Sequence, residues 1–242
     1  MRYLVLSDIH ANMEALEAVV ADAEGLYQES ICLGDIVGYG PDPNRVTAWV
    51  RQNCDAVIRG NHDRASASLE GLGSFNPVAR VAAEWTNSAL EEAHRDYLRE
   101  LVSGPMRVDD FELVHGSPFD EDAYLLTVED AWQQFDCAEF GLVFFGHTHI
   151  QGGFCRRVAN DEPVVISRRD VLNVNLAEPY LVNPGSVGQP RDDDWKAAYA
   201  IYDSLTRQLE FRRCRYDLDT TQRKIVEAGL PAMLAERLGL GH

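Results

Sequence analysis

The 242 residues are 45% hydrophobic and 25% charged, which suits one large globular domain or two small ones. Thirty-nine acidic residues against 22 basic ones give a formal net charge of −17, which argues against DNA or long RNA as a partner, since a phosphate backbone is bound by positive charge. No apolar run approaches the roughly 18 residues of a membrane span, and the first apolar stretch ends at Leu6, too short for a signal peptide.

The five cysteines (Cys32, Cys54, Cys137, Cys155, Cys214) are scattered and form no C-x-x-C. They read as small hydrophobes in a reducing compartment, so a soluble cytoplasmic protein is expected. With no repeat, low-complexity tract or linker, residues 1–242 read as a single domain.

In chain order, Tyr3 to Leu6 is a short apolar strand leading into Asp8 and His10. Met13, Leu16, Val19, Val20 and Ala23 recur at helical spacing over about 12–24. Ser30 to Leu33 is a second strand and ends in Gly34-Asp35; a loop (38–43) and a helix (about 44–52) follow. The strand Ala56 to Ile58 runs into Gly60-Asn61-His62-Asp63. This alternation predicts a mainly parallel sheet with polar residues at its carboxyl edge, where open α/β sheets bind ligands.

Helices are expected over about 77–92, 93–101 and 128–135, with a hairpin around Asp109-Asp110 whose second strand ends in His115-Gly116. The apolar strand Leu142 to Phe145 carries Gly146-His147-Thr148-His149. Side chains i and i+2 on a strand point the same way, so His147 and His149 are expected to face one point. Five later strands (about 153–158, 164–167, 180–182, 197–202 and 209–213) suit an antiparallel or mixed second sheet. Two short helices about Gly229 form a C-terminal tail, about 219–238.

Five of the seven histidines (His10, His62, His115, His147, His149) end predicted strands beside Asp, Asn or Gly, which points to a metal site. His94 and His242 have no such setting and read as solvent-facing.

D-x-H, G-D, G-N-H-D, H-G and G-H-T-H, in this order from Asp8 to His149, resemble the calcineurin-like metallophosphoesterase superfamily. The G-N-H-D form resembles its small prokaryotic phosphodiesterase branch. The resemblance implies a mixed α/β fold, a four-layer αββα sandwich of two mixed sheets flanked by helices. It implies that Asp8, His10 and His149 hold one divalent ion, that Asn61, His115 and His147 hold a second, and that Asp35 bridges them.

Oxygen and imidazole donors suit Mn, Fe, Zn, Co or Ni. The implied reaction is in-line attack on phosphorus by a metal-bridging hydroxide. The implied substrates are small phosphate esters, phosphodiester or nucleotide, with dinucleoside polyphosphates as an alternative. A non-catalytic scaffold of the same fold is the rival reading.

His62 is the implied catalytic histidine, or else it buttresses the ligands; Asp63 either orients it or caps a loop. Where the protein phosphatase branch has G-D-x-x-D-R-G, this chain has Gly34-Asp35-Ile36-Val37-Gly38-Tyr39-Gly40, so the acid that would pair with the histidine is missing and a phosphoprotein phosphatase is disfavoured. Three residues are candidate substrate contacts, each with an alternative. Arg191 either binds a phosphate oxygen or pairs with Asp192, Asp193 or Asp194. Asn12 either contacts substrate or caps a helix, and Tyr39 either contacts substrate or packs its loop.

Overall fold

The alternation of side chains along the central strands builds the molecule. In the computed structural model, which describes residues 1–137, 141–159, 161–168 and 171–242, β1 (Arg2–Leu6) sends Leu4 and Leu6 to one face and Tyr3 and Val5 to the other. Leu4 and Leu6 meet α1 (Met13–Asp22) and α2 (Pro43–Asn53); Tyr3 and Val5 enter the core between two sheets.

The first sheet has six strands in the order β3-β2-β1-β11-β12-β9, where β2 is Glu29–Cys32, β3 Ala56–Val57, β9 Val171–Asn173, β11 Ala197–Asp203 and β12 Gln208–Cys214. The second sheet runs β4-β5-β6-β10-β7-β8, where β4 is Met106–Val108, β5 Phe111–Leu113, β6 Leu142–Phe144, β7 Gly152–Arg157, β8 Glu162–Ser167 and β10 Tyr180–Asn183. Strands β1, β2 and β3 are parallel, as are β5, β6 and β10; the other pairings are antiparallel.

The second sheet alternates in the same way. Leu142 and Phe144 of β6, with Tyr180 and Val182 of β10, face the inter-sheet core, while Val143, Phe145 and Leu181 pack outward against α6 (Val128–Cys137). Phe111 meets Phe144 of its own sheet edge-to-face (5.2 Å) and Tyr202 of the first sheet (5.5 Å), and the second contact joins the sheets. The expected four-layer αββα sandwich is the fold.

Several expectations need correction. The later strands do not form one sheet: β11, β12 and β9 extend the first sheet, with β11 antiparallel to β1, and only β7, β8 and β10 join the second. Helix α3 (Asn61–Ser68) and strand β9 were not expected. The two helices expected over about 77–92 and 93–101 are α4 (Pro77–Ala89) and α5 (Glu92–Glu100), with the break at Leu90 and Glu91. His94 is half-buried, its Nδ1 3.0 Å from Asn44 Oδ1. Of the cysteines, all free, Cys137 is exposed.

The tail is part of the main body. Helix α7 (Leu218–Glu227) docks on α1 through Thr221 Oγ1 donating to Asn12 Oδ1 (3.1 Å) and Lys224 Nζ donating to Glu14 (2.7 Å). Leu234 and Leu238 of α8 (Ala232–Leu238) pack in a cluster with Tyr39. No helix among the described residues is long and apolar enough to cross a membrane.

The fully buried Phe144 ties the two sheets together. Phe144→Ala is expected to cost about 3–5 kcal/mol in urea unfolding, whereas Leu205→Ala, at a position 86% exposed, should stay within about 0.5 kcal/mol of wild type.

Candidate metal centre

Five segments that follow parallel strands meet at one edge of the two sheets. Asp8 and His10 follow β1, Asp35 follows β2, and His115 follows β5. Asn61 opens α3 just after β3, and the tetrad follows β6.

The donors fall into two buried groups that share one carboxylate: Asp8, His10, Asp35 and His149, and Asp35, His115 and His147. Asp35 Oδ2 lies 3.6 Å from His10 Nε2 and 3.4 Å from His115 Nε2. Its Oδ1 accepts the backbone N–H of His62 at 2.8 Å, so the N-terminus of α3 orients the shared carboxylate. Asp8 Oδ1 lies 3.3 Å from His149 Nε2, and Asn61 Oδ1 lies 3.2 Å from His115 Nε2.

The convergence of His147 and His149 differs from what the strand pattern implied. Strand β6 ends at Phe144, and both residues adopt left-handed backbone, with φ of 64° and 60°. They therefore belong to different groups instead of facing one point. Asp8 (φ 52°), His10 (49°) and Asp35 (50°) are left-handed as well. Such conformations cost on the order of 1–3 kcal/mol each and persist where surrounding structure imposes them. Here backbone hydrogen bonds between the loops do so, among them Asp8 N–H to Gly34 O (3.1 Å), His10 N–H to Asp35 O (2.9 Å) and Gly146 N–H to His115 O (2.8 Å).

The donor chemistry fits a metal ion. His10 Nδ1 faces the Val37 carbonyl (3.0 Å) and His149 Nδ1 faces the Gln189 carbonyl (2.6 Å), so on each ring the proton sits on Nδ1. Their Nε2 atoms then present two lone pairs to each other at 3.0 Å. Burial, reinforced for His10 by His149 and for His149 by Arg191, holds both pKa values well below the ordinary histidine range, so neither ring gains a second proton to bridge them. Two buried acceptors at that separation suit a cation lying against them.

Burial opposes the Asp35 carboxylate, yet the charges of His115 and His62 keep its pKa well below the usual range. Burial likewise opposes charge on His115, but Asp35 outweighs it and raises that pKa to about 10. The carboxylate that draws a proton so strongly would equally draw a metal ion.

The remaining candidates separate clearly. His62 lies beside the centre, its ring 5.0 Å from His10, 4.3 Å from Tyr39 and 4.6 Å from Phe75. Its Nδ1 is buried with no hydrogen-bond partner among the described residues. A Cβ on Gly38 would lie 2.5 Å from that nitrogen, so the acid absent from the G-D-x-x-G sequence is absent at the place that faces His62. Asp63 does not fill the gap: its Oδ1 accepts Val37 N–H (3.1 Å) and its Oδ2 accepts Gly60 N–H (3.0 Å), which makes it the cap of α3 and not the orienting acid of His62.

Asn12 is likewise engaged. Its Oδ1 accepts from Ala15 N–H and Thr221, and its Nδ2 donates to Gly188 O (2.9 Å), so it serves as a helix cap and loop tie. Tyr39 packs between His10 and His62. Arg191 makes no ion pair with the aspartates that follow it: Asp192 binds Arg168 and Arg213, Asp193 faces His242, and Asp194 lies beside Lys196.

Residues of the 117–127 loop also reach the site, although no sequence pattern marked them. The Asp122 carbonyl lies 3.2 Å from His147 Nε2, which leaves Nδ1 as that ring's other nitrogen, and Tyr124 stacks on His147 at 3.9 Å. Arg64 of α3 fixes this loop through ion pairs with Glu121 and Asp122, joined by Arg59. Beside the centre lies a cavity of about 280 Å³ lined by Tyr39, Asn61, His62, Phe75, Tyr124 and His147, among others.

Residues 1–207 match the calcineurin-like phosphoesterase superfamily domain. The chain belongs to the calcineurin-like phosphoesterase superfamily. A protein of Methanocaldococcus jannaschii, itself uncharacterized, is 36% identical over 98% of this chain and 97% of its own length. The crystal structure of a metallophosphoesterase from Sphaerobacter thermophilus matches at a TM-score of 0.87 with 40% identity, covering 100% of this chain and 99% of that one. A hypothetical protein of Pyrococcus horikoshii OT3 matches at 0.79 with 22% identity over 100% and 98%, a likeness of fold alone. This calcineurin-like phosphoesterase is a metal-dependent phosphoric ester hydrolase.

Gly60 permits the close approach on which Asp35 depends, since a Cβ there would lie 2.1 Å from Asp35 Oδ1. Gly60→Ala is expected to weaken divalent metal binding about 10–100-fold, read by isothermal titration, with the far-ultraviolet circular dichroism of wild type.

Proposed function

We propose that this phosphoesterase hydrolyses small phosphate esters, phosphodiester or nucleotide, at a centre holding two divalent ions. The observation that carries the reading is the shared Asp35 carboxylate between two sets of buried donors, one of them containing the opposed His10 and His149 lone pairs. Asp8, His10 and His149 would hold one ion and Asn61, His115 and His147 the other, with Asp35 between them. This oxygen and imidazole set suits Mn, Fe, Zn, Co or Ni and does not choose among them. When bound, such ions supply Lewis acidity that lowers the pKa of water and neutralises charge on phosphoryl oxygens.

The chain's own residues do the rest. His62, wedged between Tyr39 and Phe75, is placed to donate a hydrogen bond to the oxygen that leaves phosphorus. Arg191, with no acidic partner among the described residues, would bind a phosphate oxygen. Tyr39 and Tyr124 wall the cleft.

The acidic surface favours a small phosphorylated substrate over polynucleotides or a membrane surface. The free cysteines fit a cytoplasmic setting. Retention of His62 together with all seven donors weighs against a non-catalytic scaffold, and the bare Nδ1 beside Gly38 weighs against a phosphoprotein phosphatase.

The test is hydrolysis by Mn-reconstituted enzyme of bis-p-nitrophenyl phosphate and of a dinucleotide, whose leaving group is an alkoxide. His62→Ala should lower kcat about 10²–10⁴-fold on the dinucleotide, and less on the nitrophenyl ester, whose leaving group needs little help from a proton. Metal content should be unchanged. Equal losses on both substrates would remove His62 from leaving-group chemistry, and absence of any metal-dependent turnover would turn attention to the scaffold reading.

A further inference from the structure

We infer that Arg64 is a positioning residue for the ion of the Asn61, His115 and His147 group, acting on the His147 ring through the main-chain carbonyl of Asp122. The inference rests on the two-ion reading above and gives the two halves of that centre different supports.

Each of the four donor histidines has one ring nitrogen set against a main-chain carbonyl. His10 Nδ1 faces Val37 O (3.0 Å), His115 Nδ1 faces Leu33 O (2.8 Å) and His149 Nδ1 faces Gln189 O (2.6 Å). His147 is turned the other way, with Nε2 against Asp122 O (3.2 Å). A carbonyl only accepts, so this Nε2 carries the ring proton and Nδ1 keeps the lone pair for the group it forms with Asp35 and His115. Without that carbonyl, nothing fixes the proton to one nitrogen of the ring.

The four carbonyls are not held alike. Leu33 continues β2, and its N–H donates to Leu6 O (2.9 Å). Val37 N–H donates to Asp63 Oδ1 (3.1 Å). Gln189 N–H donates to Ser186 Oγ (2.8 Å), which donates in turn to Asp8 O (2.7 Å). Asp122 stands in the 117–127 loop, where the backbone hydrogen bonds turn inward. Ser117 N–H and Ala123 N–H both donate to Asp120 O (2.8 and 3.3 Å), and Asp122 N–H donates to Asp120 Oδ1 (2.9 Å).

Ion pairs tie this turn to α3. One terminal nitrogen of Arg64 donates to both carboxylate oxygens of Asp122 (2.7 and 2.9 Å), and the other pairs with Glu121, which Arg59 also reaches (3.1 Å). Arg64 and Glu121 are largely buried, so removing the guanidinium leaves uncompensated charge behind. Arg64 also follows Asn61 by three residues on the same short helix. That helix thus sets one donor of the group directly and the ring of another through the loop. The tie is confined to the ring of His147. Its backbone N–H, which donates to Asp8 Oδ1 of the other group (3.1 Å), does not depend on how the ring is turned.

The experiment titrates manganese into metal-free wild type, Arg64→Gln, Arg64→Lys, Asn61→Ala and Arg80→Gln by calorimetry; Arg80 pairs with Glu84 on the surface of α4. Arg64→Gln should weaken one of the two binding steps about 10–100-fold, the step that Asn61→Ala removes, and leave the other within about twofold. Arg64→Lys should recover part of the loss, and Arg80→Gln should match wild type. In metal-free protein, proton–nitrogen correlation spectra of the imidazoles should place the His147 proton on Nε2 in wild type. Arg64→Gln should show both tautomers there, with His10 and His149 still protonated on Nδ1. Equal weakening of both steps, no weakening of either, or a His147 tautomer that ignores the substitution overturns the inference. If wild type binds a single ion, the two-ion reading fails separately, and the His147 tautomer still decides the role of Arg64. Should Arg64→Gln not fold, Asp122→Asn, which keeps the carbonyl and removes its ion pair, carries both measurements with the same outcomes.

Discussion

Two imidazole nitrogens, each with its lone pair turned toward the other at 3.0 Å, set the terms for the rest of this structure. Each ring is locked in that state by a carbonyl that takes its only proton, and burial prevents a second from binding. Like-signed lone pairs in a low-dielectric interior are costly until a cation stands against them. Free energy recovered on metal binding therefore offsets a cost that folding alone leaves standing. Asp35 extends the arrangement to a second group of donors, and the N-terminus of α3 keeps its carboxylate turned correctly.

The backbone carries a matching cost. Asp8, His10, Asp35, His147 and His149 are five of the twelve non-glycine residues with left-handed backbone among the described residues, and Ala11 and Tyr39 beside them are two more. What holds them is a set of backbone hydrogen bonds that tie each strand-end loop to its neighbour, with the two sheets beneath as a rigid base. Rigidity in the inter-sheet core is thus what allows strain at its edge. The 117–127 loop, fixed by Arg64, closes one flank, and the C-terminal helices close the other over Tyr39.

Much of this was legible in the sequence, because it rests on local pattern. Leu4 and Leu6 against Tyr3 and Val5, or Leu142 and Phe144 against Val143, announce strands covered on both faces, and the polar residues after them announce a ligand edge. The seven donors were legible because their residue types stand out after apolar runs. The division of later strands between sheets was not, since the pairing of β11 with β1 joins residues nearly 200 apart and either sheet accepts its alternation. Helix α3 escaped because Asn61-His62-Asp63-Arg64-Ala65-Ser66-Ala67-Ser68 carries no apolar stripe, and its start is made by Asp63 reaching back to Gly60 N–H. Asn12 and Asp63 looked like chemistry and proved to be caps, because backbone donors that no sequence displays reach them first. Arg191 went the other way: three aspartates follow it, and each is engaged elsewhere.

The central claim is that the opposed histidines and the shared carboxylate form a binuclear metal site on which the folded state leans. The most direct measurement is a manganese titration of metal-free protein, following stoichiometry by calorimetry and thermal stability by circular dichroism on the same samples. The account predicts two ions per chain and a Tm that climbs as they bind. A protein that binds fewer than two, or whose Tm ignores them, would contradict it.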